Sequence, residues 1–316
     1  MPANVKQAAD SFSCPNFVGE LFLVGQNQTP FLNMIGGLNG GGRQTASFQF
    51  PVSQEWNLDK AAQPEISETA SMTAPNPTTY VREQAYNTCQ IFQRAVKVSY
   101  ARQSQVGALS GINIEGQNPV RDERQFQINA NLKQVALDVE HTFINGVYQA
   151  AANAATAAKT RGMLSAIQTN RVDGGGGALA LVMIKSLVRQ MAENGCPFDQ
   201  PVLFAGGAKI QEISGIYQAD NNFTANERRV GGVAVKTVLT DFCELGVVFC
   251  PVMPATAVMV ADMAHVSPVF LPVPGKGFLF YEELARTGAS ESGQIYGQIG
   301  LDHGAELFHG AIVNLA

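Results

Sequence analysis

Between Asn57 and Thr78 the chain is rich in Ser, Thr, Ala, Pro and Glu and offers almost nothing to bury, yet strand-like sequence flanks it on both sides. Before it, Ala46, Phe48, Phe50 and Val52 alternate with Thr45, Ser47, Gln49 and Ser53, the period of a half-buried strand. After it, Phe92, Arg94, Val96, Val98 and Tyr100 fall on one face of a second extended stretch. Residues 45–100 are therefore expected to form a long two-stranded excursion. Such a ribbon has too little apolar surface to order itself in water, and both of its edges are unpaired. If it is ordered, another chain must hold it.

The rest of the chain is long enough for a core. Its 316 residues suggest about two domains at roughly 100–200 residues each. Charged residues make up only 15%, and Asn, Gln, Ser and Thr carry much of the polar surface, which a neighbour covers at lower desolvation cost than Lys and Glu. The net charge of −5 excludes a surface that coats nucleic acid wholesale. It is unevenly spread: −3 over residues 1–78, +4 over 79–171 and −6 over 172–316, a sign of sidedness. Five cysteines (Cys14, Cys89, Cys196, Cys243, Cys250), none spaced C-x-x-C, write neither a disulfide framework nor a zinc knuckle and fit a reducing compartment. The N-terminus lacks the order of a secretion signal, and Asp262, His265 and several prolines interrupt the most apolar tract, Ala255–Val273, so no membrane segment is expected.

Residues 1–44 hold a few apolar anchors (Phe12, Phe17, Leu21, Phe22) and no sustained period, as in an arm lying on something else. Asn118 is placed to cap a helix with Pro119 at its first position and Asp122 and Glu123 in its first turn. Ile128, Leu132, Val135, Val139, Phe143 and Val147 then trace one apolar stripe along about 45 Å. The four glycines Gly174–Gly177 read as a hinge and a domain boundary. Beyond them Leu181, Ile184, Leu187, Val188 and Met191 mark a second helix stopped by Gly195 and Pro197. Val202–Ala205 reads as a buried strand, Ala208–Tyr217 as a helix and Val230–Pro254 as sheet, and the odd-numbered apolar residues from Ile295 to Leu315 as one face of two strands.

Motifs of chemistry are weak. Gly206-Gly207-Ala208-Lys209 opens a helix after a strand, but lacks the full phosphate-loop pattern and is better explained as a tight turn. His303, Glu306 and His309 lack a metal-protease spacing, and Cys243 and Cys250 sit among apolar neighbours where a thiolate is disfavoured. No catalytic, cofactor or metal site is assigned.

Taken in order, an N-terminal arm, a long β excursion, a long helix, a helix–strand–helix region and a closing sheet resemble the tailed-bacteriophage major capsid proteins of the Hong Kong 97-type fold. The local wording is similar to one of their families in Thr29-Pro-Phe-Leu-Asn-Met-Ile35, Asp138-Val-Glu140, Arg161-Gly-Met163, Ile167-Gln-Thr-Asn170, Thr240-Asp-Phe242 and Leu284-Ala-Arg-Thr-Gly-Ala-Ser-Glu-Ser-Gly-Gln-Ile295. The family commonly has Gly where this chain has Cys243, which bears on that turn and not on the fold. The resemblance implies an α+β fold: N-terminal arm 1–44, extended loop 45–100, a peripheral domain 101–174 with spine helix 118–152, an axial domain 175–272, and strands 273–316 returning to the peripheral domain. It implies a non-enzymatic, self-assembling virion protein that forms the hexamers and pentamers of an icosahedral head around double-stranded DNA. Further implied partners are a portal and scaffold or decoration proteins, with assembly in the host cytoplasm.

Within that frame Trp56, Lys60, Arg82 and Arg94 are the candidates for contact between subunits, being long donors and one large aromatic on an otherwise bland excursion. Arg121, Arg124 and Lys133 are candidates for facing DNA through non-specific, salt-sensitive contact. Two alternatives are carried forward: an encapsulin-like protein-cargo shell of the same fold, and a soluble α/β enzyme binding phosphate at Gly206–Lys209.

Overall fold

The computed structural model of the chain describes residues 28–38, 42–56, 58–59, 61–106, 122–219, 227–230 and 233–316. Most of the arm, Cys14, Lys60, Asn118, Pro119 and Arg121 lie outside the described residues. The architecture is mixed α+β, built on two sheets and a two-stranded ribbon. No helix among the described residues is long and apolar enough to cross a membrane.

The chain enters with a short helix, α1 (Pro30–Met34), and strand β1 (Arg43–Gln44). Strand β2 (Gln49–Glu55) then pairs with β3 (Glu83–Thr88), with a register shift between Pro51 and Ser53. A single turn, α2 (Glu68–Ser71), lies in the segment between them. The ribbon's second strand is thus Glu83–Thr88 and not the stretch around 92–100. That stretch is β4 (Gln90–Ser99), which pairs over ten residues with β13 (Ser290–Asp302) in a five-stranded sheet. The reason is burial: Phe92, Val96 and Val98 are enclosed there, whereas in the ribbon they would face water. The strand expected from Thr45 begins only at Gln49; Phe50 is buried, but Ala46 and Phe48 are exposed.

Beyond β4, helix α3 (Tyr100–Val106) precedes α4 (Glu123–Asn145), the spine of the molecule. Asp122 caps α4 from an extended conformation, its carboxylate accepting the Gln125 N–H at 3.1 Å, so it stands before the first turn and not within it. The described helix ends at Asn145. Val147, assigned to the stripe from its spacing, is exposed. The stop is steric: a β-carbon on Gly146 would lie 2.6 Å from the Thr160 carbonyl, and one on Gly162 2.5 Å from the Gly146 nitrogen, because two backbones cross in contact. Gly162→Ala is therefore expected to cost about 3 kcal/mol in denaturant unfolding of the unassembled chain. A cost below about 0.5 kcal/mol, typical of an indifferent surface site, would show that the crossing yields easily.

Helix α4 lays Ile128, Val135, Val139 and Phe143 on the sheet formed by β4, β13, β12 (Leu279–Glu283), β11 (Ser267–Phe270) and β1. A short helix, α5 (Met163–Ala166), follows. The second sheet has seven strands, in the order β5 (Arg171–Asp173), β14 (His309–Val313), β10 (Val258–Asp262), β6 (Pro201–Ala205), β9 (Glu244–Phe249), β8 (Val233–Leu239) and β7 (Glu227–Val230). Helices α6 (Leu181–Glu193) and α7 (Gly207–Ala219) complete the elements. One face of this sheet (Leu203, Ala205, Val258, Val260, Ile312) packs with Ile184, Leu187 and Ile213. The other face (Val202, Phe204, Met259, Ala261, Ala311) belongs to the core around α4. Burial on both faces is why Val202–Ala205 is continuously apolar.

Two sequence readings change here. Gly174–Gly177 is a fixed turn and not a free hinge: Gly174 and Gly176 donate to the Val313 and Asn314 carbonyls, and Ala316 donates to Gly177. The closing residues also do not form one sheet, since β13 lies in the five-stranded sheet and β14 in the seven-stranded one.

Candidate assembly surfaces

Every described residue from Trp56 to Arg82 is exposed. Trp56, Leu58, Ile66, Met72, Tyr80 and Val81 are six large apolar side chains left in solvent, with Met72 78% accessible. Local contacts shape this segment without enclosing it: the Trp56 and Tyr80 rings meet edge-on at 6.2 Å, and Ser67 caps the one helical turn by accepting the Ala70 N–H. The structure places Trp56 and Arg82 together on this ribbon. Arg94 lies elsewhere, under α4, where its guanidinium donates to Asp138 at 2.7 and 3.1 Å. That ion pair within the chain accounts for a charged residue on the inward face of β4.

The spine helix consumes its own acids. Glu123 is buried and paired with Arg102 at 3.1 Å, Asp138 holds Arg94, and Glu140 is fully enclosed. Within Glu123–Asn145 the exposed positions are Gln125, Phe126, Asn129, Ala130, Lys133, Gln134 and His141, so the solvent face carries mainly amides with Lys133 and His141, and its one half-exposed carboxylate, Asp138, is paired with Arg94. Lys133 lies on that face. Arg124 is tied back to Glu283 and Glu291 and stacks over Tyr281 at 5.7 Å, which neutralises it locally.

Glu140 is the residue that sequence reasoning missed. Its two oxygens accept the N–H groups of Phe31 (2.9 Å) and Leu32 (2.7 Å), more than a hundred residues away. Thr29 makes no side-chain cap and Pro30 has no N–H, so this carboxylate serves as a remote N-cap for α1. Phe31 then stacks edge-on against Phe204 at 5.4 Å, bringing α1, α4 and β6 together. Burial pushes the Glu140 carboxyl up to about 7 despite the two N–H donors and the nearby Cys250 thiol, which favour its ionised form. The family-like run Asp138-Val-Glu140 marked the residue; its spacing could not reveal a partner so distant in sequence.

The chemical alternatives lose their residues to structure. Lys209 is 2% exposed and bonded to both oxygens of Glu212 at 2.8 and 3.0 Å, so it is unavailable to a phosphate. His309 is enclosed, with Nδ1 accepting the Asp262 N–H and Nε2 donating to the His303 carbonyl at 2.6 Å, and burial pushes it down to about 4. Glu306 accepts the N–H groups of Gln168 and Thr169, which explains its position without a metal. Asp199, Asp262 and His265 bring ligand atoms within 4.8 Å of one another, but Asp262 already accepts three backbone N–H groups. Burial pushes Cys89, Cys196 and Cys250 up to about 12, so their thiolates are disfavoured. Cys243 fits its turn: the chain needs no left-handed residue there, and Thr240 Oγ accepts the Cys243 N–H while donating to its carbonyl.

The family model described as SU10 major capsid protein matches residues 2–316. The chain belongs to that family. It is a capsid shell protein of the virion, and its fold is of the Hong Kong 97 type. Among solved structures, the cyanophage A-1(L) capsid is similar at TM-score 0.61 and 12% identity, covering 98% of this chain and 99% of that one. The capsid of the native GTA particle gives 0.57 and 15%, covering 99% and 100%. The SrpI encapsulin of Synechococcus elongatus PCC 7942 gives 0.61 and 11%, covering 99% and 96%. At these identities the likeness is one of fold. No curated protein matches the chain.

Proposed function

We propose that this capsid protein builds the hexamers and pentamers of an icosahedral phage head that encloses double-stranded DNA. The observation that carries the reading is the ribbon, six large apolar side chains held in solvent beside a well-buried core. A head-to-tail interface repeated around a ring gives each ribbon a neighbour to lie on. Trp56 and Arg82 are then contact residues, and Lys60 is assigned the same role from the sequence. The layer of α4 and the five-stranded sheet forms the peripheral region, and the seven-stranded sheet forms most of the axial one. Lys133, on the amide-rich exposed face of α4, meets DNA by salt-sensitive contact. A portal and scaffold or decoration proteins complete the head, which assembles in the host cytoplasm.

Electron microscopy and light scattering of the purified chain test the assembly. Uniform particles tens of nanometres across, or rings, are expected. Particles recovered from cells should hold nucleic acid; a protein cargo and no nucleic acid would favour the encapsulin-like alternative.

A further inference from the structure

Strand β4 is the outer strand of its sheet, and one set of its backbone groups has no bonding partner among the described residues. Its register with β13 runs from Ser99 opposite Ser290 to Gln90 opposite Ile299. Just past the ladder, the Tyr100 N–H donates to the Ala289 carbonyl. On the far side of β13, the carbonyls of Gln298 and Ser292 accept from Leu271 and Leu284. Gln298 and Ser292 lie opposite Ile91 and Lys97 and turn their backbone groups away from β4. Opposed residues alternate between bonded and non-bonded pairs in an antiparallel ladder. The even residues of β4 therefore bond β13, while Ile91, Gln93, Ala95 and Lys97 direct their N–H and C=O groups to the free edge. Those four side chains are also exposed.

The ribbon carries the matching half. Thr78-Thr-Tyr-Val-Arg82 is a run of good strand formers, exposed throughout, that lies next to β3 and is in no strand itself. The exposed acids of the ribbon and its stem, Asp59, Glu65, Glu68 and Glu83, complement Lys97 on the edge. An edge lysine discourages indiscriminate pairing, and Glu83, which directly follows the incoming segment and its Arg82, is the nearest carboxylate to offset that penalty.

We propose that Thr78–Arg82 of one copy adds as a strand to the free edge of β4 in a second copy. The proposal rests on the assembly reading and names the surface that receives the ribbon. Main-chain hydrogen bonds supply the affinity, and the acidic ribbon against Lys97 supplies the selectivity.

Amide exchange on the full chain provides the first test. The amides of Gln93, Ala95 and Lys97 should exchange freely in the unassembled protein and slow by about 100-fold in particles. Protection already present before assembly would overturn the proposal, because the chain's own residues would then fill the edge. Ala95→Pro removes an N–H directed at that edge, a position where a sheet tolerates proline. It should leave the melting of the unassembled chain unchanged and raise the concentration needed for assembly by about tenfold, the equivalent of one hydrogen bond. Should that variant misfold, Thr79→Cys combined with Gln93→Cys gives the same answer through an intermolecular disulfide in oxidised particles. Particles that form normally without the cross-link would reject the strand pairing while the shell reading stands. A wild-type chain that forms no particles would remove both.

Discussion

Glu140→Ala should destabilise the unassembled chain by about 3–5 kcal/mol in denaturant unfolding, because it strips the acceptor from two buried N–H groups and leaves a void. A loss below about 1 kcal/mol would show that Phe31 and Leu32 find other acceptors and that α1 does not depend on α4. The pH dependence carries more information. The carboxyl sits at about 7 in the fold, above its ordinary 4.5, so the folded state holds a proton that the unfolded state releases between those values. Stability from this group is complete below about 4.5 and declines through about 7, by about 3 kcal/mol. His309 runs the other way. Its folded value of about 4 lies below its ordinary 6.5, so its contribution is complete above about 6.5 and fades towards 4. Burial lowers His303 as well, with the same sign as His309. The histidine slopes oppose that of Glu140, and the wild-type chain should show a shallower profile across pH 4.5–6.5 than the histidines alone would give. Glu140→Gln removes one of them. That variant should be less stable at pH 5 yet gain stability from pH 4.5 to 6.5, following the buried histidines His303 and His309. A variant profile as shallow as the wild type's would refute the assigned titration of Glu140.

Deleting Leu58–Val81, with Asn57 joined to Arg82 through a short turn, should abolish particles while leaving a folded, soluble chain. The segment encloses nothing: Leu58, Ile66, Met72 and Val81 are all more than two-thirds exposed. Its removal costs little burial, and shortening the loop slightly lowers the entropic cost of closure that opposes folding. The melting temperature of the unassembled chain should therefore stay within about 1.5 °C of wild type, equivalent to about 1 kcal/mol. Light scattering of the variant at assembly concentration is the measurement. Normal particles would show that the ribbon is dispensable and that the contact between copies lies elsewhere.

The elements legible from sequence were those whose burial obeys a single period. Helix α6 keeps Ile184, Leu187, Val188 and Met191 buried and stops at Gly195 in a left-handed conformation, as its spacing and punctuation required. In β13 the buried odd positions Ile295, Ile299 and Leu301 follow the alternation of a strand. The ribbon announced itself by lacking anything to bury. Other features failed for identifiable reasons. Val147 keeps the four-residue spacing of its helix, but the chain at Thr160–Gly162 crosses at Gly146 and ends it. The partner of Arg94 within the chain was missed, because α4 supplies Asp138 from a different part of the sequence. Glycine content in Gly174–Gly177 suggested freedom, but the C-terminal residues hold that turn with backbone hydrogen bonds.

Local periodicity, the glycine stop of α6 and the barren stretch after Trp56 were written into the order of residues, since each depends on neighbours a few positions apart. Which strand pairs with which, and which charge meets which, depended on contacts between residues from tens to more than two hundred positions apart. Glu140 shows the difference: its helical position follows from its neighbours, while its work in capping Phe31 and Leu32 exists only because the fold carries a short helix to it and excludes water. Burial made that contact strong, and burial is a property of the assembled core.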